Sequence, residues 1–116
     1  MYNLIVLASR PRDWTHERFI AWWRGPHAEA TYHLPGLRSW RHTEVLAAMG
    51  EKSEGWDGMS VLTFDSREAL DTALASPEWA SAVADVGEMR GRRIAVMGEE
   101  MTMVLDGQPV RESAAR

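Results

Sequence analysis

At 116 residues the chain can build one hydrophobic core and is too short for two ordinary domains. With 45% apolar and 26% charged residues it has the profile of a globular protein. A formal net charge of −4 without any Lys/Arg stripe argues against nucleic acid as a partner, and the lack of cysteine excludes disulfides, thiolate catalysis and cysteine-ligated metals. The nearest approach to a basic patch, Arg90 with Arg92 and Arg93, reads as solvated charge ahead of a strand. The opening Met1-Tyr2-Asn3-Leu4 has no basic n-region and its apolar run stops at Ala8, so neither a signal peptide nor a membrane span is expected, and the expected location is the cytoplasm.

Residues 2–9 form a short β-branched-rich run ended by Arg10-Pro11, which favours a strand. Tyr2, Leu4, Val6 and Ala8 share one face, while Ile5 and Leu7 lie on the other, so both faces call for cover. Thr15 is a suitable N-cap for a helix from His16, with Glu17 in its first turn. Phe19, Trp22, Trp23, Pro26, His27 and Ala30 then fall in one stripe. His27 lies only roughly 40° around the axis from Trp23, which points it to the apolar side. Gly25-Pro26 interrupts this helix, because Pro26 cannot donate to the carbonyl of Trp22.

Leu34-Pro35-Gly36 turns the chain into a strand over 37–46, with Trp40, His42, Glu44 and Leu46 on one face. A polar loop at 50–55 leads to a third strand over 58–64, with Asp57-Gly58 read as turn residues. Asp65 and Glu68 fit a capping pattern for a helix carrying Ala69, Leu70, Ala73 and Leu74. Ser76-Pro77-Glu78 then restarts a helix whose stripe is Trp79, Ala82, Val83 and Val86. A last strand spans 93–105, with Gly98 a candidate bulge, and places Glu99 and Glu100 on opposite faces. The domain therefore covers 1–105, and 106–116 is a polar C-terminal tail expected to be disordered.

The order β-α-β-β-α-β defines an α+β, ferredoxin-like fold: a four-stranded antiparallel sheet with helices on one face. Helices can cover only one face of the doubly apolar first strand, so a second copy of the sheet is the simplest cover for the other and the expected assembly is a homodimer.

The run of Phe19, Trp22, Trp23 and His27, the Leu34-Pro35-Gly36-Leu37 turn, Asp57-Gly58, Phe64-Asp65-Ser66 and Ser76-Pro77-Glu78-Trp79 together resemble the EthD-like family over residues 2–104. The resemblance implies a dimeric α/β barrel with a pocket between sheet and helices and no bound metal or organic cofactor. Relatives implied by it include muconolactone-type isomerases and cyclases or dehydratases of polyketide-derived aromatics. It also implies that His27 is the acid/base residue, and it places Trp40 where many members carry a tyrosine. That departure matters, since an indole N–H donates a hydrogen bond but cannot exchange a proton as a phenol does.

Imidazole suits both taking and giving a proton near neutral pH, although a histidine on an apolar face also serves as a core residue with both nitrogens satisfied. His42 and Glu44 share the Trp40 face; they assist His27 if that face meets the helices and belong to the interface if it meets a second copy. The expected site is thus His27 and His42 as catalytic groups, with Phe19, Trp23, Trp40 and Glu44 contacting substrate. Indoles make good walls for a flat ligand, though in a small core they also serve as filling. His16 is read as exposed on the first helical turn and His33 as part of a turn. His27, Glu29 and His33 do not match any compact metal-ligand spacing.

The function expected is that of a cofactor-independent lyase or isomerase acting as a cyclase, isomerase or dehydratase on a small aromatic, conjugated or polyketide-like cyclic carbonyl compound. The alternatives are a cofactor-independent monooxygenase and a non-catalytic small-molecule-binding dimer.

Overall fold

Tyr2–Ala8 form strand β1, whose burial alternates from Leu4 to Ala8 as a two-residue period requires. Leu4, Val6 and Ala8 are buried, whereas Ile5 and Leu7 on the opposite face are only partly covered. The computed structural model of the chain describes residues 1–87 and 91–110. The remaining elements of the main fold are α1 (His16–Arg24), α2 (Pro26–Thr31), β2 (Ser39–Glu44), β3 (Gly58–Phe64), α3 (Arg67–Leu74), α4 (Pro77–Val86) and β4 (Arg93–Glu99). The strands pair antiparallel in the order β2-β3-β1-β4, so the ferredoxin-like β-α-β-β-α-β arrangement is present with each helical leg split in two.

Local chemistry explains the splits. Thr15 caps α1 by accepting from the backbone N–H of Arg18 at 3.1 Å. Gly25 serves at once as the C-cap of α1 and the N-cap of α2, with φ −110° and ψ −102°, and Pro26 opens the new helix. Pro26 itself points outward and is exposed, so it does not belong to the buried stripe of Phe19, Trp23 and His27. Ser66, not Asp65, caps α3, accepting from the N–H of Ala69 at 3.1 Å. Asp65 instead meets Arg38 at 3.5 Å on the surface. Ser76 caps α4 through the N–H of Trp79, as its Ser-Pro-Glu start leads one to expect.

The end of the chain differs from the expected long strand. Register with β1 runs unbroken from Arg93 to Glu99, so Gly98 pairs regularly with Asn3 and forms no bulge. Beyond Glu99 the short strands β5 (Val104–Leu105) and β6 (Gln108–Pro109) make a hairpin turned by Asp106-Gly107, both with positive φ. An Asp-Gly pair is the usual signal for this turn, and it lies inside the stretch read as a polar tail. Residues 111–116 of that tail and Arg90 lie outside the described residues.

One buried carboxylate fastens the helices to the sheet. Asp57, only 2% exposed, accepts from the backbone N–H of Arg10 at 2.7 Å, from the Arg10 guanidinium at 2.8 Å and from His16 Nδ1 at 2.7 Å. Its own N–H donates to the carbonyl of Ala8, and its carbonyl accepts from Val45. His16 Nε2 reaches Glu44 at the end of β2, at 2.8 Å. His16 is therefore a clasp between β2, β3 and the start of α1, not a solvated residue, and Asp57 is far more than a turn former. Hydrogen bonds to Asp57 and then Glu44 raise the His16 pKa. Burial pushes Asp57 upward, but the bonds from His16 and Arg10 outweigh it, and its pKa falls.

On the far side of the sheet Ile5, Leu7, Met59, Val61, Ile94 and Val96 form an apolar face that no helix among the described residues covers, with Ile94 and Val96 about half exposed. Among the described residues no helix is long and apolar enough to cross a membrane.

Three outcomes follow from this architecture. A second copy covering the apolar face gives a solution mass of twice the 13.1 kDa chain, and Val61→Lys, at its centre, should shift light scattering toward the single-chain mass. Asp57→Asn should destabilise the fold by about 3 kcal/mol, the lower end for opening a buried pair because Arg10 keeps solvent contact. The His16 contribution has a definite sign. Its folded pKa is raised above 6.5, so the stabilisation is complete below about pH 6.5 and fades as pH rises through the raised value. The melting-temperature gap between wild type and His16→Asn should accordingly be wide at mildly acidic pH and narrow in alkaline buffer.

Candidate functional site

A cavity of about 180 Å³ lies between the sheet and the helices. Its existence follows from residue sizes along the sheet. The row His42–Ser60–Val6–Ala95 crosses all four strands, and Ser60 and Ala95 are small, so the floor dips there. Larger groups stand around the dip: Trp40 on β2, Leu4 and Leu62 in the next row, and Arg93 on β4. Trp23 of α1, His27 and Thr31 of α2, and Trp79, Ala82, Val83 and Val86 of α4 supply the walls and roof. The lining is chiefly apolar with few polar groups, the usual make-up of a small-molecule site.

Among the described residues His27 is the one titratable side chain of the roof, and it is 7% exposed. The Gly25-Pro26 break turns α2 so that the imidazole stacks on Trp22, with centroids 4.5 Å apart and planes 17° from parallel. Its Nδ1 meets Asp85 Oδ2 of α4 at 2.7 Å. A carboxylate there fixes Nδ1 as the protonated nitrogen and leaves the Nε2 lone pair as the basic site. Burial lowers the His27 pKa; Asp85 opposes this, and the nearby Arg93 adds to it. The ring is consequently neutral at neutral pH, the state required of a base.

The Trp40 face of β2 looks at the helices, which decides between the two positions open to it. Trp40 lines the cavity and donates through Nε1 to Ser60 Oγ at 3.0 Å. His42 and Glu44 share that face yet do not reach the cavity. His42 Nδ1 accepts from Arg24 Nε at 3.1 Å, and its ring packs edge-on against Trp23, with centroids 4.4 Å apart. Its Nε2 is buried with no partner among the described residues. Burial, then Arg24, lowers its pKa to about 4, so it stays neutral behind the Trp23 indole it packs against. Glu44 is held by His16 and Arg24.

Phe19 also lies behind the cavity, packed against Trp22 and Trp23 with centroids 5.8 and 5.3 Å away. Of the expected site residues, then, His27, Trp23 and Trp40 come together, and His42, Glu44 and Phe19 support the wall behind them. Glu29 and His33 are exposed, and among the described residues no group of three His, Asp or Glu side chains is arranged to hold a metal.

The tryptophans divide by role. Trp23, Trp40 and Trp79 wall the cavity, Trp22 covers His27, Trp14 packs against Trp22, and Trp56 stacks under Arg92. Sequence reasoning missed Asp85, Ser60, Thr31 and Arg93. Asp85 sits one position before Val86 and three after Ala82, so an acid flanking the buried stripe of α4 was the available signal. Arg93, read as solvated charge, lines the cavity from β4.

The EthD domain family matches residues 11–91 of the chain. No curated protein shows significant similarity to it. Among solved structures, an EthD-family protein from Bacillus halodurans C-125 is similar at 29% identity and a TM-score of 0.74, covering 87% of this chain and 99% of that one. A dimeric ferredoxin-like protein of unknown function from Bacteroides fragilis shares the fold at 19% identity and TM-score 0.64, over 85% of this chain and 95% of its own. The hydroxynitrile lyase of Passiflora edulis shares it at 12% identity and TM-score 0.70, over 84% and 90% respectively.

Gly58 carries the cavity wall. A Cβ there would lie 2.9 Å from both His42 Nε2 and Trp23 Cζ3, so neither ring could keep its place. Gly58→Ala should cost about 1–3 kcal/mol as overpacking does, and should shift the Trp23 indole signal in NMR. Unchanged stability and an unmoved indole would contradict this packing.

Proposed function

The chain belongs to the EthD domain family, and from that premise we propose that it is an acid/base enzyme acting on a small carbonyl compound about one ring in size. The observation that carries this reading is the Asp85–His27 pair, 2.7 Å apart, beneath Trp22 and facing an apolar cavity. In the proposed reaction His27 Nε2 removes a proton from the carbon beside the carbonyl, and the electron pair moves onto the carbonyl oxygen. The resulting imidazolium is held by Asp85 and then returns its proton. Delivery to another carbon completes an isomerisation, and delivery to a departing hydroxyl completes a dehydration as water leaves. Apolar walls keep water from the reacting carbon and hold the ring over the base.

Cavity size narrows the substrate. An apolar cavity of about 150 Å³ accommodates benzene, so some 180 Å³ suits a single conjugated ring with a substituent more readily than a fused polyketide skeleton. Trp23, Trp40 and Trp79 supply flat faces for such a ring. The hydroxynitrile lyase of the same fold is consistent with lyase chemistry on this scaffold. The uncovered face of the sheet and the dimeric protein of similar fold support a homodimer, with its site formed between the sheet and helices of each copy. We place the enzyme in the cytoplasm.

Deuterium uptake from D2O into one-ring enones, beginning with cyclohex-2-enone and followed by NMR, tests the proton transfer without knowledge of the natural substrate. His27→Gln should lower the exchange rate by about 10²-fold or more while the fold is retained, and Asp85→Asn should lower it less. Because the base acts neutral and its pKa lies below 6.5, exchange should persist into mildly acidic buffer and fall only as pH drops through that lowered value. Equal rates for wild type and His27→Gln across such a panel would make His27 a core residue and remove this function.

A further inference from the structure

Resting on that reading, the geometry points to Ser60 as the group that binds the substrate's carbonyl oxygen and stabilises the negative charge that forms on it, with Trp40 as its positioning residue. Ser60 is only 2% exposed, yet it lies on the floor of the cavity, beneath the helical roof that carries His27. A hydroxyl has one hydrogen to donate and two lone pairs to accept with. The Trp40 indole N–H, reaching diagonally across from β2, takes one lone pair at 3.0 Å. Among the described residues the Ser60 hydroxyl has no acceptor for its own hydrogen.

A buried donor without an acceptor is costly in a finished core and useful in a binding site, where the ligand supplies the missing acceptor. The indole also polarises the hydroxyl, because an oxygen that accepts one bond becomes a better donor of another. Trp40 is already committed to Ser60, so its effect on a ligand passes through the serine. Chemistry then selects the ligand. It must present an acceptor oxygen to the sheet while its acidic C–H faces the roof, which is the arrangement of a carbonyl and its adjacent carbon. As His27 removes the proton, charge grows on that oxygen, and a fixed donor in an apolar cavity counts for most there.

A pair of isosteric probes isolates this contact from the rest of the cavity. Acetophenone carries a carbonyl oxygen where α-methylstyrene carries a CH2, and both are one substituted ring. NMR titration should show wild type binding acetophenone about five- to tenfold more tightly than α-methylstyrene, the worth of one added hydrogen bond. Ser60→Ala should abolish that preference and leave α-methylstyrene affinity unchanged. Should the stranded Trp40 N–H unfold that variant, Ser60→Ala with Trp40→Phe removes both partners, and the affinity ratio of the two probes remains the readout. A preference that survives loss of Ser60, or a wild type that binds both probes equally, overturns the Ser60 assignment while leaving the His27 chemistry standing. Binding of neither probe overturns both.

Discussion

Asp57 holds the position on which the site depends. Its carboxylate is buried at the start of β3 and takes hydrogen bonds from the Arg10 backbone, the Arg10 guanidinium and His16. Those partners belong to the segment that leaves β1 and to the first turn of α1, so a single carboxylate sets where α1 begins over the sheet. Everything downstream inherits that placement. Trp23 is two turns further along α1 from His16, and the break after Arg24 sends α2 across to α4, where Asp85 waits for His27. A buried carboxylate is a poor source of net stability but a strict source of geometry, because its lone pairs must all be met in one arrangement. Here that strictness fixes the start of the helical segment that carries His27.

How far the sequence shows this depends on how local each signal is. The strand–helix order, the Thr15 and Ser76 caps and the Gly25-Pro26 break are written in neighbouring residues, and the structure agrees with each. His27 facing the apolar side was legible for the same reason, since helical periodicity relates it directly to Trp23. Asp57 to His16 and His27 to Asp85 are long-range pairs, separated by 41 and 58 residues. No periodicity within one element reports them. Asp57-Gly58 reads as a turn because that pair is common in turns, yet Gly58 is needed there so that Trp23 and His42 can approach β3. The reason for the glycine is tertiary, while its local signature is the same in both cases.

Residue size explains the cavity where polarity does not. A small core filled with six tryptophans invites the expectation of a solid interior. Three of the indoles, Trp23, Trp40 and Trp79, instead stand around a row whose small members, Ser60 and Ala95, leave a depression. Large aromatic groups bridge a gap without collapsing into it when their rings are braced from behind. Phe19 and His42 provide that bracing for Trp23, and Trp22 is braced by Trp14 and Phe19. Thus residues expected in the site, Phe19 and His42 among them, serve it from the second layer.

Three of the four histidines, His16, His27 and His42, acquire distinct chemistry from one intrinsic group. His16 has two carboxylates as partners and a raised pKa, so it is held toward the cationic form. His42 is held neutral by burial, with an indole against its ring, and by the arginine on one nitrogen. His27 combines the two influences, with burial and Arg93 lowering its pKa and Asp85 opposing them. A base must be neutral before it acts and must tolerate charge once it has acted. His42 meets the first requirement without a carboxylate on its ring to meet the second, and His16 meets the second at the expense of the first. Only His27 has desolvation to keep it neutral, a carboxylate to receive the charge, and a cavity in front of it. The contacts that distinguish these histidines also set His27 and Ser60 on the same cavity, one on its helical roof and one on its sheet floor, which is the arrangement the proposed acid/base chemistry draws on.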